Sequence, residues 1–468
     1  MVRTRRLAGI ALVGALVIGG LTVSSVAASA TTTCDSGTTS TGTLVDGAQW
    51  KIQCPTIAWN GTLLLYSHGY VAPGSGNPAT DVGDPATGAY LLAHGFALAG
   101  SSYATTGWAI QQALPDQIAT LDVFDATYGT PTRTIAWGHS LGGIITAGLI
   151  QDYPNRFNAA LPMCGVLAGG VATWNTALDA EFAFKQLLPS TSMLQLVNIT
   201  SPGANLTRAE GILATAQTTP QGRARLALVS ALGDTPGWFN PASPEPAATD
   251  FVTQEANQFQ WAANVTFPFV FALRAELESR AGGNVSWNTG VNYFADLAKS
   301  ADLREVIGLY HAAGLSLTKD LLRLNSAARI SATPSAVDYL AKYIAFDGDI
   351  SVPVLTMHTT GDGLVVPENE QAYRSVVDRA GNGRLLRQIF VARAGHCTFT
   401  PAETITALNV LVNRLDTGHW NVPDPASLNA DAVALGPLNV APPAFTSFRP
   451  TQYPRPFDLL GEGRFLFG

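Results

Sequence analysis

The chain has 468 residues, of which 47% are hydrophobic and 13% are charged, and its formal net charge is -7. This composition excludes an intrinsically disordered protein and indicates one large domain with an insertion, or two to three domains. The acidic balance argues against nucleic acid or an anionic membrane surface as a partner.

The N-terminus has the pattern of a secretory signal peptide. Three arginines precede an apolar run over residues 7–21, and Ala28-Ser29-Ala30 forms a cleavage-type ending. The apolar run is short for a membrane anchor. We therefore predict that residues 1–30 are removed and that the protein is secreted, with a formal charge of -10 after the three arginines are lost. The pair Arg5-Arg6 leaves twin-arginine export open beside the general secretory route.

The four cysteines of an exported chain favour disulfide bonds. Cys34 and Cys54 flank a short segment and are predicted to pair. Cys164 and Cys397 then form the second pair by default, with two buried thiols as the alternative. The spacing of Cys and His residues fits no metal site, and the sequence implies neither a metal nor another cofactor.

Apolar runs bounded by turn residues alternate with stretches of helical periodicity in the first part of the mature chain. The predicted strands are residues 62–67, 96–102, 134–138 and 159–164. The predicted helices are residues 86–95, 114–129 and 141–153. This alternation predicts right-handed βαβ units, and therefore an α/β fold with a mostly parallel, twisted sheet and helices on both faces.

The alternation stops after residue 165. Residues 166–350 contain helix-like segments separated by Pro-, Gly- and Ser-rich stretches, which predicts a large helical insertion. Aromatic residues at 238–240 and 259–271 either line an acyl pocket or form the helical core of this insertion.

The strand and helix pattern resumes with strands at 353–359 and 387–392 and helices at 366–380 and 402–415. The core is thus predicted to comprise residues 31–165 and 351–420. The Pro-rich tail, residues 421–468, is expected to pack on this core as extended chain.

A candidate nucleophile lies in Gly138-His139-Ser140-Leu141-Gly142, between a predicted strand and a predicted helix. Glycines suit a sharp strand-to-helix turn because neighbouring backbone approaches too closely for a Cβ atom. Such a turn exposes the serine hydroxyl and places the N–H of Leu141 at the positive end of a helix.

A serine at its ordinary pKa is a weak nucleophile, so it needs a base and an orienting acid. Asp362 and His396 each follow a later predicted strand, in the chain order Ser, Asp, His. Three competing acids are Asp347 and Asp349, which precede their strand at its opposite end, and Glu368, further along the loop of Asp362. His139 and His358 are interpreted as packing or hydrogen-bonding residues.

These motifs resemble those of the α/β-hydrolase superfamily over residues 60–165 and 350–418. GHSLGG resembles its nucleophile elbow, TTGDGLVVP its acid loop, AGHC its histidine loop, and YSHGY its His-Gly oxyanion loop. The resemblance implies a Ser140–His396–Asp362 triad and an oxyanion hole made by the N–H groups of Tyr70 and Leu141. It also implies that His68 and Gly69 shape the oxyanion loop, and that the insertion between the sixth and seventh strands is a lid.

The chain as a whole resembles an exported bacterial serine hydrolase, and a secreted carboxylic-ester hydrolase of the esterase or lipase type is the leading functional hypothesis. One alternative is an exopeptidase of the prolyl or tripeptidyl aminopeptidase type, which needs lid acids to hold a free amine. Asp179 and Glu181 are the candidates for that task. A further alternative is a non-catalytic binding protein on a hydrolase scaffold. The expected partner is a small-molecule or acyl-ester substrate; the sequence specifies neither the acyl group nor the oligomeric state.

Overall fold

A computed structural model of the chain describes residues 33–461. The predicted signal peptide lies outside the described residues. Within the described range, no helix combines the length and hydropathy of a membrane span.

A nine-stranded sheet forms the core, with the strand order β1-β2-β4-β3-β5-β6-β7-β8-β9. Its six central strands are parallel, and the edge strands β1, β2 and β9 pair antiparallel with their neighbours. The strands are Thr39–Thr43, Gln49–Gln53, Thr62–Ser67, Ala97–Ser101, Arg133–His139, Ala159–Met163, Val354–Gly361, Leu386–Ala394 and Phe445–Thr446. This parallel order, with a strand-turn-helix elbow after β5, confirms the predicted α/β-hydrolase fold.

Helices cover both faces of the sheet, because successive side chains of each buried strand point to opposite sides. Leu63 and Leu65 of β3 pack on the side of α2, α3 and α13, whereas Leu64 packs on the side of α1, α14 and α15. These helices are Pro85–Ala93 (α1), Ile110–Tyr128 (α2), Leu141–Asp152 (α3), Glu368–Arg379 (α13), Pro401–Thr417 (α14) and Pro425–Ala434 (α15).

The segment between β6 and β7 is helical, as predicted. Its helices are Gly169–Leu187 (α4), Pro202–Gln217 (α5), Pro220–Leu232 (α6), Phe251–Trp261 (α7), Arg274–Ala281 (α8), Tyr293–Leu297 (α9), Leu303–Ala312 (α10), Leu317–Ser326 (α11) and Pro334–Lys342 (α12). Two π-helical turns, Ala262–Thr266 and Phe269–Leu273, link α7 to α8. The insertion has its own hydrophobic core, which includes Leu178, Leu228 and Tyr310.

The tail is not wholly extended. It forms α15, which begins at Pro425 with Asp424 as its N-cap, and then the short strand β9. The Asp424 carboxylate accepts hydrogen bonds from the N–H groups of Ala426 and Ser427. Asp-Pro is a strong helix start, which the abundance of proline in the tail concealed.

Both predicted disulfides are present. Cys34 is bonded to Cys54, and Cys164 is bonded to Cys397. The second bond joins the residue after β6 to the residue after His396, so it connects the base of the helical insertion to the histidine loop.

Candidate active site

Ser140 lies on a strained turn between β5 and α3. Its backbone has φ 58° and ψ -122°, in a region that non-glycine residues rarely occupy. A Cβ atom on Gly138 would lie 2.5 Å from the carbonyl oxygen of Ser67, and one on Gly142 would overlap the same carbonyl. The turn is therefore possible only with glycine at both positions, as the motif predicts.

Asp362 and His396 form a hydrogen-bonded pair. The Nδ1 atom of His396 lies 2.7 Å from Oδ2 of Asp362. The other carboxylate oxygen accepts the N–H groups of Leu364 and Val365, both at 3.0 Å. Burial alone would raise the pKa of Asp362, but the charges and hydrogen bonds of His396 and His358 outweigh it and lower the pKa to about 2. Asp362 is thus ionised and holds the Nδ1 proton of His396, which leaves Nε2 as the basic nitrogen.

The disulfide brings the histidine loop to the serine. The N–H of Ser140 donates to the carbonyl oxygen of Met163 at 3.0 Å, and the next residue, Cys164, is bonded to Cys397. The Nε2 atom of His396 contacts Sγ of Cys397 at 3.4 Å. Within residues 33–461 the Ser140 hydroxyl makes no hydrogen bond to His396, a contact that often forms only in the substrate complex.

The predicted oxyanion loop passes over the serine. A Cβ atom on Gly69 would lie 3.5 Å from Cβ and 3.9 Å from Oγ of Ser140. Tyr70 and Leu141, the predicted N–H donors, line the same cavity as Ser140. Leu141 is the first residue of α3, so its N–H has no acceptor within the helix.

His68 braces this loop. Its Nδ1 atom lies 2.8 Å from the carbonyl oxygen of Gly69, and its ring stacks on Tyr103 with 4.0 Å between centroids. The Tyr103 hydroxyl donates to the carbonyl oxygen of His68 at 3.0 Å. Burial lowers the pKa of His68, which favours the neutral ring of a structural residue.

His139 is also structural in its contacts. It is half-buried between Tyr66, whose hydroxyl lies 3.1 Å from Nδ1, and Phe399. Burial lowers the pKa of His139 to about 4, so the ring is neutral at pH 7.

The cavity beside Ser140 is mainly apolar and aromatic. The two π-helical turns supply part of its wall, which places some of the insertion's aromatic residues in a pocket and others in its core. The aromatic side chains that line the cavity are Tyr70, Trp108, Trp174, Phe184, Phe267, Phe269, Phe271 and Tyr453. The site can therefore accommodate a bulky apolar group next to the serine.

The two acids of the exopeptidase hypothesis have different environments. Asp179 is buried and paired, with the Arg455 guanidinium on one oxygen and the Tyr293 hydroxyl on the other at 2.9 Å. Glu181 lines the cavity, and neither of its oxygens is hydrogen-bonded; its closest cation, Arg274, lies 3.6 Å away. Burial raises the pKa of Glu181 to about 8.

The competing acids do not contact His396. Asp347 lies before β7, where its backbone N–H is held by Gln151, and Asp349 follows it in the same turn. Glu368 begins α13 and accepts a hydrogen bond from Thr451. Among described residues, three potential metal-ligand atoms cluster at Cys164, His396 and Cys397, but the disulfide occupies both sulfurs.

Glu370 on α13 contacts His358 of β7 and Gln388 of β8, and the sequence motifs did not predict it as part of the site. Its position near Asp362 in the chain did not indicate a role in the site, because a glutamate in the first turn is common in exposed helices.

The chain is similar in sequence to a family model and to a known amidase. Residues 12–222 match a family model described as a tannase-like family of unknown function, DUF6351. The o-phthalyl amidase of Xanthobacter agilis is 30% identical over 422 residues, which cover 84% of this chain and 90% of the relative.

Two esterase structures from Aspergillus oryzae are among the similar solved structures. The first, described only as an esterase, is 15% identical with a TM-score of 0.39, over 80% of this chain and 77% of its own. The second, feruloyl esterase B, is 13% identical with a TM-score of 0.39, over 81% and 80%. Given the identity shared with the amidase over nine-tenths of that protein, the chain belongs to the family of α/β-hydrolase-fold hydrolases that includes o-phthalyl amidase.

Proposed function

We propose that the chain is a serine hydrolase that cleaves carboxylic esters through an acyl-enzyme on Ser140. The observation that carries this proposal is the hydrogen bond between His396 and Asp362, which is buried and ionised. Such a pair is the base that a serine nucleophile requires. The disulfide between Cys164 and Cys397 holds the loop of His396 next to the turn that carries Ser140.

The proposed reaction has two steps. Nε2 of His396 takes the Ser140 proton as Oγ attacks the substrate carbonyl, and the N–H groups of Tyr70 and Leu141 stabilise the oxyanion. His396 then protonates the leaving group, so the ester bond breaks and the acyl group stays on Ser140. A water molecule, deprotonated by His396, hydrolyses the acyl-enzyme and restores the serine.

The acyl group proposed for this site is bulky and aromatic, because eight aromatic side chains line the mainly apolar cavity beside Ser140. The relative named an o-phthalyl amidase acts on an aromatic acyl group, which supports this assignment. It also makes the amide of an aromatic acid the second bond to be tested.

The aminopeptidase alternative rests on Glu181 alone, since Asp179 is paired with Arg455 and Tyr293. A single carboxyl group with a raised pKa is a weak site for a free ammonium group, and this favours the ester hydrolase. Faster turnover of aminoacyl amides than of aromatic esters would reverse that preference.

We further propose that the protein is exported. Its two disulfides are typical of proteins that fold in an oxidising compartment.

The experiment that tests the function combines covalent labelling with turnover. The wild-type protein should react with a fluorophosphonate probe at Ser140, located by peptide mass mapping, and should hydrolyse nitrophenyl esters of aromatic acids. Ser140→Ala should lose labelling and at least about 10³-fold in kcat/KM, with unfolding temperature retained. Ser190→Ala is a matched control, because Ser190 is an exposed serine that also has positive φ, 62°. Undiminished turnover by Ser140→Ala would refute the assignment.

A further inference from the structure

A second histidine lies directly behind the proposed acid. The ring of His358, on β7, is fully buried between Asp362 and Glu370, which are also fully buried. Its Nδ1 atom lies 3.1 Å from Oε1 of Glu370. Its Nε2 atom lies 2.7 Å from the carbonyl oxygen of Val365 and 3.6 Å from Oδ2 of Asp362.

The contacts of this ring define its protonation. Oε2 of Glu370 accepts hydrogen bonds from the Thr356 hydroxyl and from Nε2 of Gln388, an arrangement that suits a carboxylate. The Val365 carbonyl is an acceptor only. A ring protonated at both nitrogens donates to Glu370 and to the Val365 carbonyl, and its position between the carboxyl groups of Glu370 and Asp362 favours an imidazolium.

The charge balance agrees with that protonation. Burial alone would lower the pKa of His358, but the hydrogen bonds and charges of Asp362 and Glu370 outweigh it and raise the pKa to about 10. The buried His68 provides the contrast: its ring nitrogens face carbonyl oxygens without a carboxylate, and its pKa is lowered by burial.

We propose that His358 is a positioning residue of this hydrolase, a permanent buried cation that fixes the acid loop and acts electrostatically on His396 through Asp362. The proposal rests on the Ser140–His396–Asp362 mechanism above. It extends that mechanism to a chain of four groups: Glu370, His358, Asp362 and His396.

The cation acts on His396 through Asp362. Its counterion Glu370 contacts Nδ1, whereas Asp362 lies on the side of Nε2. The positive charge of His358 is therefore closer to Asp362 than the negative charge of Glu370 is. The positive charge of His358 lies beside the same Asp362 oxygen that binds His396, so it offsets part of the stabilisation that Asp362 gives to a positive charge on His396. Other titratable groups that interact with this chain are Glu368, which interacts with His358, Tyr373, which interacts with Glu370, and His139, which interacts with His396.

The Nε2–H group also fixes the loop that carries the acid. It binds the carbonyl oxygen of Val365, while the N–H groups of Leu364 and Val365 bind Asp362. The loop from Asp362 to Val365 is therefore held at a carbonyl group by His358 of β7 and at two N–H groups by Asp362.

The pH profile of kcat/KM tests the electrostatic role. His358→Gln keeps a hydrogen-bond donor but removes the cation, and its acid limb should move upward by about one pH unit. Thr356→Val is the matched control: it alters the same buried strand and removes a hydrogen bond to Glu370, but no charge. If both variants lose stability and neither limb moves, the role of His358 is merely structural and the proposal is wrong.

A second measurement uses the wild-type protein and needs no hydrolysis. In ¹⁵N–¹H spectra of histidine-labelled protein, one histidine should keep both ring nitrogens protonated from pH 5 to pH 9. The absence of these signals in His358→Gln assigns them to His358. Where that variant does not fold, contacts to Val365 assign them. A neutral His358 ring at pH 8 would overturn the proposal. An inactive wild-type protein with this imidazolium would instead refute the proposed function while leaving the cation established.

Discussion

Asp362 and His396 are 34 residues apart in the chain, yet Oδ2 of one and Nδ1 of the other are separated by 2.7 Å. The two residues meet because they follow adjacent parallel strands, β7 and β8. The loops are further joined by the N–H of Gly395, which donates to the carbonyl oxygen of Gly361 at 3.0 Å, and by the Thr359 hydroxyl, which donates to the carbonyl oxygen of Gly395 at 2.8 Å. The pair is thus a product of strand order, and its geometry is fixed before substrate binds.

The first prediction concerns the identity of the acid. Asp362→Asn should lower kcat by about 10³- to 10⁴-fold, because an amide no longer stabilises the imidazolium or selects the reactive tautomer of His396. Steady-state kinetics on an aromatic ester measure the loss. Asp347→Asn, Asp349→Asn and Glu368→Gln each remove one competing acid and should retain most of the activity; a comparable loss in any of them would transfer the role to that residue.

The second prediction concerns the elbow. Gly142→Ala should destabilise the protein by about 2 kcal/mol or more, because its Cβ would overlap the carbonyl oxygen of Ser67. Gly211→Ala, with no atom near its Cβ position in helix α5, should instead be neutral or stabilising by up to about 1 kcal/mol. Urea unfolding at pH 7 measures both. Equal stabilities for the two variants would show that the elbow tolerates a side chain.

The sequence predicted the parallel core well, because buried strands such as Thr62–Ser67 are continuous apolar runs that end at turn residues. It did not predict β1 and β2. Their residues Thr39–Thr43 and Gln49–Gln53 are largely polar. They become strands only at the edge of the sheet, where β2 pairs with β4 and β1 pairs with β2.

The candidate site was also predicted only in part. Ser140, Asp362 and His396 were found because each lies at a strand end, where order along the chain predicts position in space. The contact between His358 and Glu370 depends on how α13 packs against β7, and periodicity alone does not predict that rotation. The aromatic residues of the π-helical turns were equally ambiguous, because core and cavity walls have the same composition.

The third prediction concerns the two disulfides. Replacing Cys164 and Cys397 together by alanine should lower the free energy of unfolding by about 2–4 kcal/mol and also reduce kcat, since the bond holds the histidine loop next to Ser140. The Cys34→Ala, Cys54→Ala double variant is the matched control: it should lose stability but keep kcat, because this bond closes 20 residues at the edge of the sheet. Kinetics and thermal unfolding separate the two effects. An unchanged kcat in the first variant would show that the bond stabilises the fold without orienting His396.

The last prediction follows from buried acids in the helical insertion. Glu305 is 1% exposed, and burial together with the negative charge of Asp302 raises its pKa to about 9. The folded state therefore holds this proton more tightly than the unfolded state, whose pKa is near 4.5. The resulting stability is complete below about pH 4.5 and is lost as the pH rises toward 9.

Glu305→Gln should accordingly stabilise the protein more at pH 8 than at pH 5, by at least about 1 kcal/mol, because glutamine keeps the hydrogen-bond acceptor for Gln258 and cannot ionise. Urea unfolding at the two pH values measures the difference, with Asp431→Asn on the exposed face of α15 as the control for a lost surface charge. The same change in stability at both pH values would mean that Glu305 is ionised in the folded protein. The cation needed to balance it would then have to come from solvent or from Arg304, which lines the same cleft as Glu305.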